Sequence, residues 1–363
     1  MEIEVVDART LSYEAFCTQY MAQNRPVRLV NVVKKWFPQA CAWRVTQDTG
    51  EMAINYGYLR ANYGDQEVPV VDGESTEYGC QAQSTMRFAD YLDLMQQKRA
   101  GKQYLKDWHF VHAVHPSPPL YTTPVYFQDD WLNWWWDRKD ESSDDYRFVY
   151  IGPAGSWTPL HHDVFRSYSW SVNVCGQKEW IFFHPDEESK LKDKFGRTVL
   201  PDITSKDYDK DLYPRAHEAT PLYVVQDSGE AIFVPSGWYH QVRNVRDTIS
   251  INHNWFNGFN ILEIWSFFKS EYAAVETELE HLKEIGLTGL DFRDQCQLIM
   301  QANTGMNYVE FRQLVEAKVL DLKEHSIPDS NDWEIKTTEN HLNQLLLIQA
   351  ELDAYFNASE FSS

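Results

Sequence analysis

Hydrophobic positions in the first part of the chain recur at helical spacing in two places. In "SYEAFCTQYMAQ", residues 12–23, Phe16, Tyr20 and Met21 share a face, which predicts a helix. "MRFADYLDLMQQKRAG", residues 86–101, predicts a second amphipathic helix ending near Gly101. Between them "RPVRLVNVV" reads as a strand with Pro26 at its edge, and "QYLKDWHF" follows as a short strand. "DDWLNWWWDRKDESSDD", residues 129–145, opens on tryptophans and closes on polar residues. Its Ser-Ser-Asp-Asp end predicts an exposed loop.

The pattern changes near residue 146. "RFVYIG", "SYSWSVNVCG", "EWIFFHP", "LYVVQ", "AIFVPSG", "HQVRNV" and "TISINHNWF" are short β-branched or aromatic runs, most of them separated by turn residues. Such a series predicts a sandwich or barrel of the jelly-roll kind. A long charged insertion, residues 186–219, divides two strand groups. From about residue 258 the period returns to three and four. "NILEIWSFFKSEYAAVETELEHLKEIG" stops at Gly286, and "YVEFRQLVEAKVLDLKEH" and "ENHLNQLLLIQAELDAYF" repeat the pattern. Three regions follow: an α/β lead-in (1–145) packing on the core, a β core (146–257) and a helical region (258–363). Those last helices cover the core or pack on a partner, a second copy of the chain included.

Composition narrows the class. Aromatic content of 15%, with 14 Trp, suits a β-rich core. A net charge of -21 argues against nucleic acid bound through a basic surface and is compatible with attracting a basic protein segment. The five cysteines, Cys17, Cys41, Cys80, Cys175 and Cys296, are scattered without a CxxC pair, so neither a zinc-thiolate site nor a disulfide framework is expected. The amino terminus has no apolar signal segment, and no apolar run is long enough to span a membrane. A reducing compartment, cytoplasm or nucleus, is the expectation.

The candidate chemistry sits in "TPLHHDVF". On a strand, side chains alternate with period two, so His161 and Asp163 share a face and His162 points away. An imidazole and a carboxylate on one face make two of the three ligands of a 2-His-1-carboxylate iron site. One His-x-Asp also arises by chance among 12 His. The third ligand should be a distant histidine on a neighbouring strand, and "GEAIFVPSGWYHQV" offers His240 after the turn at Pro235 and Gly237. An ordinary hairpin with an exposed histidine is the alternative there. A 2-oxoacid dicarboxylate would need a cation for its far carboxylate. Lys178, between two largely apolar runs, supplies one if it points inward, although hairpin lysines are commonly exposed.

Taken together these residues resemble the JmjC-domain 2-oxoglutarate- and Fe(II)-dependent oxygenases. The resemblance lies in "GPAGSWTPLHHDVFRSYSWSVNVCGQKEWIFFHP" and "SGEAIFVPSGWYHQVRNVRDTISINHNWF". "NRPVRLVNVVKKW", "YGDQEVPVV" and "YLKDWHF" add the lead-in, so about residues 10–258 are covered. It implies a mainly β core with flanking helices, namely a double-stranded β-helix (jelly roll, cupin-like) with a helical C-terminal region. It implies Fe(II) as the metal, with 2-oxoglutarate and O2 as co-substrates. His161, Asp163 and His240 would be the metal-binding, catalytic set, and Lys178, Thr158 and Tyr104 would hold 2-oxoglutarate. Several relatives carry an asparagine before the lysine strand. Here the facing positions are Ser169, Ser171 and Asn173, and Ser171 and Asn173 are taken as further co-substrate contacts. "HHDVFRSYSWSVNVCG" and "INHNWFN" resemble the branch that hydroxylates a lysine carbon of the translation-termination release factor, implying a protein substrate. Two rival functions are a histone N-methyl-lysine demethylase and a non-catalytic jelly-roll interaction module.

Three further features have plain packing as the favoured reading. His109, His112 and His115 in "WHFVHAVH" lack a companion carboxylate or cysteine at useful spacing. His253 serves either as a partner to a metal ligand or as a core histidine. Trp131, Trp134, Trp135 and Trp136 fit core or lid packing better than a methyl-lysine cage.

Overall fold

Alternating runs in the middle of the chain form two sheets that share an interior. The structure, a computed structural model, describes residues 3–77, 80–139, 145–324 and 331–357. The lead-in supplies β1 (Glu4–Asp7), β2 (Val27–Val30), β3 (Arg44–Thr46), β4 (Met52–Ile54), β5 (Glu67–Glu77), β6 (Cys80–Arg87) and β7 (Gln103–Trp108). The core follows as β8 (Arg147–Gly152), β9 (Trp157–His161), β10 (Tyr168–Cys175), β11 (Lys178–Phe183), β12 (Leu222–Gln226), β13 (Ala231–Val234), β14 (Tyr239–Asn244) and β15 (Thr248–Trp255). The large sheet runs β1-β2-β13-β10-β15-β8-β7-β5-β6, and the small one runs β12-β11-β14-β9. Core pairings are antiparallel. This is the expected jelly-roll core with flanking helices.

The lead-in strands extend the large sheet on both sides, so β10 and β15 lie in its interior. All eight residues of each are buried. On β10, β13 and β15 one face is mainly apolar and aromatic. Trp170 stacks on Phe127 at 5.4 Å, and Phe16 meets Phe233 edge-on at 5.1 Å. Lead-in residues thus seal that face, each ring burying a large apolar area. The opposite face turns toward the small sheet. At one end the two sheets close through apolar residues, including Trp180, Phe182, Val224, Ile232, Val234 and Val242. At the other end the facing residues are polar, and there the site lies. The insertion after β11 covers the outside of the small sheet, where Leu191, Val199 and Ile203 pack with Leu160, Ile181 and Tyr239.

Several local expectations shift. The helix over 12–23 appears as an α-turn, Tyr13–Phe16, continued by a π-helical Cys17–Met21, with Phe16, Tyr20 and Met21 buried as expected. The second helix spans only Phe88–Gln96. Lys98 takes a left-handed φ of 56° and ends it before Gly101. Of the expected exposed loop, Ser142, Ser143 and Asp144 lie outside the described residues. Asp145 is buried rather than exposed, because His109 and Arg147 pair with it.

The described residues fall into two compact units. One holds residues up to Gln128, Trp136–Asp163 and Tyr168–Trp255, and so contains the large and small sheets and the short β3-β4 pair. The other holds Asp129–Trp135, Val164–Ser167 and the chain from Phe256 on. Its helices are Ile261–Leu279, Gly289–Thr304, Tyr308–Glu324 and Asp332–Asn357. The first continues as a 3-10 turn to Ile285 and stops at Gly286, whose φ is 100°. No helix among the described residues is long and apolar enough to cross a membrane.

Candidate metal and co-substrate site

Strand β14 pairs with β11 and β9, so His240 lies opposite Phe182 on one side and His161 on the other. The two imidazole centroids are 4.3 Å apart. Strand β9 ends at His161 rather than running on through Asp163. Asp163 is carried past the strand end, where Ser169 Oγ donates to its Oδ2 at 2.7 Å. Its Oδ2 lies 4.0 Å from His240 Nε2. One ligand atom from each of His161, Asp163 and His240 lies within 4.8 Å of the others, so one point is in reach of all three. Among the described residues no other group of histidine, cysteine and carboxylate side chains meets this condition.

Backbone carbonyls set the histidine tautomers. His161 Nδ1 lies 2.7 Å from Pro159 O, and His240 Nδ1 lies 3.2 Å from Trp238 O. A carbonyl only accepts, so each Nδ1 carries the proton and each Nε2 keeps a lone pair for a metal. Burial, then the neighbouring His240, pushes His161 down to about 3, so it stays neutral. Burial pushes the Asp163 carboxyl up, but His240, His161 and the hydrogen bonds from Ser169 and Asn254 outweigh it and hold the group ionised. A neutral His161 and an ionised Asp163 are the protonation states a divalent metal requires of these two groups.

His162 goes the other way. Its Nδ1 meets the Asp163 carbonyl oxygen at 2.8 Å, and its ring packs edge-on against Tyr239 at 5.1 Å, on the outer side of the small sheet. A bulge in β9 explains a further placement. Between His161 and Thr158 the chain advances three residues, while the partner strand advances two, from His240 to Val242. Thr158 therefore returns to the face of His161, where regular alternation would have separated them.

Lys178 is 2% exposed, and its Nζ donates to Ser250 Oγ on the facing sheet at 2.6 Å. Burial, and then the charge of Lys106, pushes its ammonium down to about 7. The three facing residues of β10 separate by their partners. Ser169 holds Asp163, while Asn173 Nδ2 donates to the carbonyls of Gly176 and Gln226. Ser171 Oγ is buried with no partner among the described residues. A buried cation whose hydrogen-bond partner is a hydroxyl, and an unsatisfied hydroxyl on the facing sheet, fit an anionic, oxygen-rich co-substrate. Tyr104 is also buried, at 2% exposure, on β7. Gly152 makes room for its ring, since a Cβ there would lie 2.5 Å from Tyr104 Cδ2.

Periodicity hid other parts of the chamber. Ser250 and Asn252 line it from β15, with Asn252 Nδ2 donating to Ser250 Oγ at 3.1 Å. Tyr150 lines it from β8, its ring centroid 5.7 Å from Lys178 Nζ. His253 lies on the opposite face of β15, against Trp170 at 4.1 Å and hydrogen-bonded to Tyr121, so it is a core histidine. His109 pairs with a carboxylate distant in sequence, Asp145 at 3.0 Å, and among the described residues no metal-binding group forms around it. In the helical unit Lys318 Nζ lies 4.5 Å from the Trp134 ring and 5.2 Å from the Trp131 ring. That tryptophan pair already carries a cation from its own chain.

Fold and site together define a class. The chain belongs to the JmjC family of 2-oxoglutarate- and iron-dependent oxygenases, with Fe(II) as cofactor and 2-oxoglutarate and O2 as co-substrates. A sequence profile described as a cupin-like domain matches residues 13–261. The chain is 42% identical over 337 residues to the 2-oxoglutarate and iron-dependent oxygenase JMJD4 of Mus musculus, covering 88% of this chain and 76% of the relative. For the Homo sapiens protein of that name the identity is 40% over 339 residues, covering 90% and 78%. It is also 37% identical over 326 residues to the arginine-specific demethylase JMJ20 of Arabidopsis thaliana, covering 85% and 68%.

One expectation follows from Lys178. An amine that ionises near pH 7 in the free protein holds a carboxylate only when protonated. Its 2-oxoglutarate affinity should be level in mild acid and weaken as pH rises through that value, toward tenfold per unit. Anaerobic calorimetry should give a Kd roughly ten- to thirtyfold weaker at about pH 8.5 than at about pH 6.5. A flat profile would mean that Lys178 does not meet the co-substrate.

Proposed function

We propose that the chain is a protein lysyl hydroxylase that oxidises a side-chain carbon of a lysine in the translation-termination release factor, in the cytoplasm. The observation that carries the substrate is the resemblance of "HHDVFRSYSWSVNVCG" and "INHNWFN" to that branch of the family. A net charge of -21 supports a basic protein segment as the partner.

Bound iron supplies the oxidising chemistry: one oxygen atom of O2 enters a substrate C–H bond as 2-oxoglutarate loses CO2 to become succinate. The residues do the rest. His161, Asp163 and His240 would hold the metal, each through one ligand atom. Ser169 keeps the Asp163 carboxylate oriented. Lys178 fixes the far carboxylate of 2-oxoglutarate, with Thr158, Tyr104 and the unsatisfied Ser171 hydroxyl beside it. The aromatic and polar walls between the sheets keep bulk water out, which limits side reactions.

A second reading has a specific observation behind it. JMJ20 carries the name arginine-specific demethylase, and the same iron chemistry applied to an N-methyl group releases formaldehyde. Mass spectrometry of release factor incubated with the protein, Fe(II), 2-oxoglutarate and O2 separates the two. The expected product is a lysine heavier by one oxygen atom, absent with the His240→Ala variant. Formaldehyde from methylated histone or arginine-methylated peptides, with release factor unmodified, would favour demethylation.

A further inference from the structure

Strand β7 carries a bulge where it meets β8. Leu105 is paired with Ile151 and Trp108 with Val149, so both Lys106 and Asp107 face the single residue Tyr150. Asp107 takes a left-handed φ of 57°, a conformation that costs a non-glycine residue about 1 kcal/mol or more. Such strain persists where a side chain must be aimed. The aim is visible: Tyr150 Oη donates to Asp107 Oδ1 at 2.7 Å, although Asp107 is exposed. Tyr150 is the ring that stands 5.7 Å from Lys178 Nζ in the co-substrate chamber.

Burial falls along this edge of the chamber. Lys178, His240, Ser171 and Ser250 are buried, whereas Tyr150 and Phe148 of β8 are only half-buried. Their rings stack at 6.2 Å and an angle of 19°, and Tyr104 meets Tyr150 at 6.0 Å. Flat rings suit the methylene stem of a long cationic side chain, and a carboxylate at their edge suits its charged end. Lys106, half-buried beside Asp107, acts in the other direction: its charge depresses both His161 and Lys178.

We propose that Asp107, fixed by Tyr150 at the mouth of the chamber, receives the cationic end of the substrate side chain that is oxidised. The proposal rests on the reading of the chain as a lysine-directed enzyme. Asp107 thus selects for a positive charge, and Tyr150 couples its position to the occupied co-substrate site.

The test uses the full chain with Fe(II), 2-oxoglutarate and O2. Two degenerate peptide libraries, one centred on lysine and one on uncharged norleucine, serve as probes. Succinate formation and oxygen-atom incorporation are read by mass spectrometry. The lysine library should stimulate turnover and the norleucine library should not. Asp107→Asn, whose amide oxygen still accepts from Tyr150, should raise the KM for the lysine library roughly 10- to 100-fold, the loss of one charge-assisted contact. Asp107→Glu should recover part of it. Equal response to the two libraries, no response to either, or an unchanged KM in Asp107→Asn overturns the proposal. Failure of intact release factor as a substrate, with lysine-library discrimination intact, removes only the release-factor assignment.

Discussion

His161→Ala should abolish iron binding, while His162→Ala should leave most of it intact. The two residues are neighbours, yet the strand end separates their environments. His161 presents Nε2 to the chamber because its Nδ1 proton is committed to the Pro159 carbonyl. Removing it leaves a two-ligand site. Loss of a partner outside the ligand set already costs about 10- to 100-fold in metal affinity, so loss of a ligand should exceed that. His162 contributes an edge-on contact to Tyr239 and a hydrogen bond to the Asp163 carbonyl. Its loss should cost about 1–2 kcal/mol of stability and little metal affinity. Anaerobic iron titration with thermal melts on both variants gives the answer. Full iron binding by His161→Ala would refute the ligand set.

Lys178→Met should weaken 2-oxoglutarate binding about a hundredfold and make the unliganded protein more stable. The opposite signs separate a binding role from a structural one. The loss follows from removing the cation that meets the far carboxylate. The gain follows from the cost of burying an ammonium whose single hydrogen-bond partner is Ser250. Its pKa falls from 10.5 in the unfolded chain to about 7 in the fold. Below about pH 7 the charged form is buried at full cost, on the order of a few kcal/mol. That cost shrinks as pH rises toward 10.5, where the unfolded chain also loses the proton. The stability advantage of methionine should therefore be largest near neutral pH and fade in alkali. Calorimetry and melting curves across pH measure both effects. A destabilised variant with normal co-substrate affinity would contradict this account.

The residues that announced the site did so through sequence separation. His-x-Asp and a distant histidine beyond a Pro-x-Gly turn survive as a pattern whatever the strands do between them. What stayed hidden was set by pairing. In "TISINHNW" the polar residues Thr248, Ser250, Asn252 and Asn254 alternate with Ile249, Ile251, His253 and Trp255. On most strands a polar face means solvent. Here both faces are buried, one beneath lead-in aromatics and one in the chamber. No local pattern distinguishes the two cases, because the covering aromatics come from more than a hundred residues away. The ladder also showed that Asp163 leaves the strand and that Ser169, the first of three equivalent-looking candidates, serves the metal ligand rather than the co-substrate. Lys106 and Asp107 were obscured similarly, since period two would put adjacent residues on opposite faces and only the bulge sets both against Tyr150.

The bulge in β9 has a different kind of consequence, for how such a chain can change over generations. One surplus residue between Thr158 and His161 keeps the hydroxyl and the imidazole on the same face. The side chain at Pro159 is therefore open to exchange, provided the carbonyl under His161 Nδ1 stays in place, whereas Leu160 is held by its packing against Ile181 and Tyr239. A single-codon deletion there would remove the bulge and restore regular alternation, which still puts Thr158 and His161 on one face. The segment therefore tolerates the loss of its surplus residue, and what descent must preserve is the shared face rather than the count.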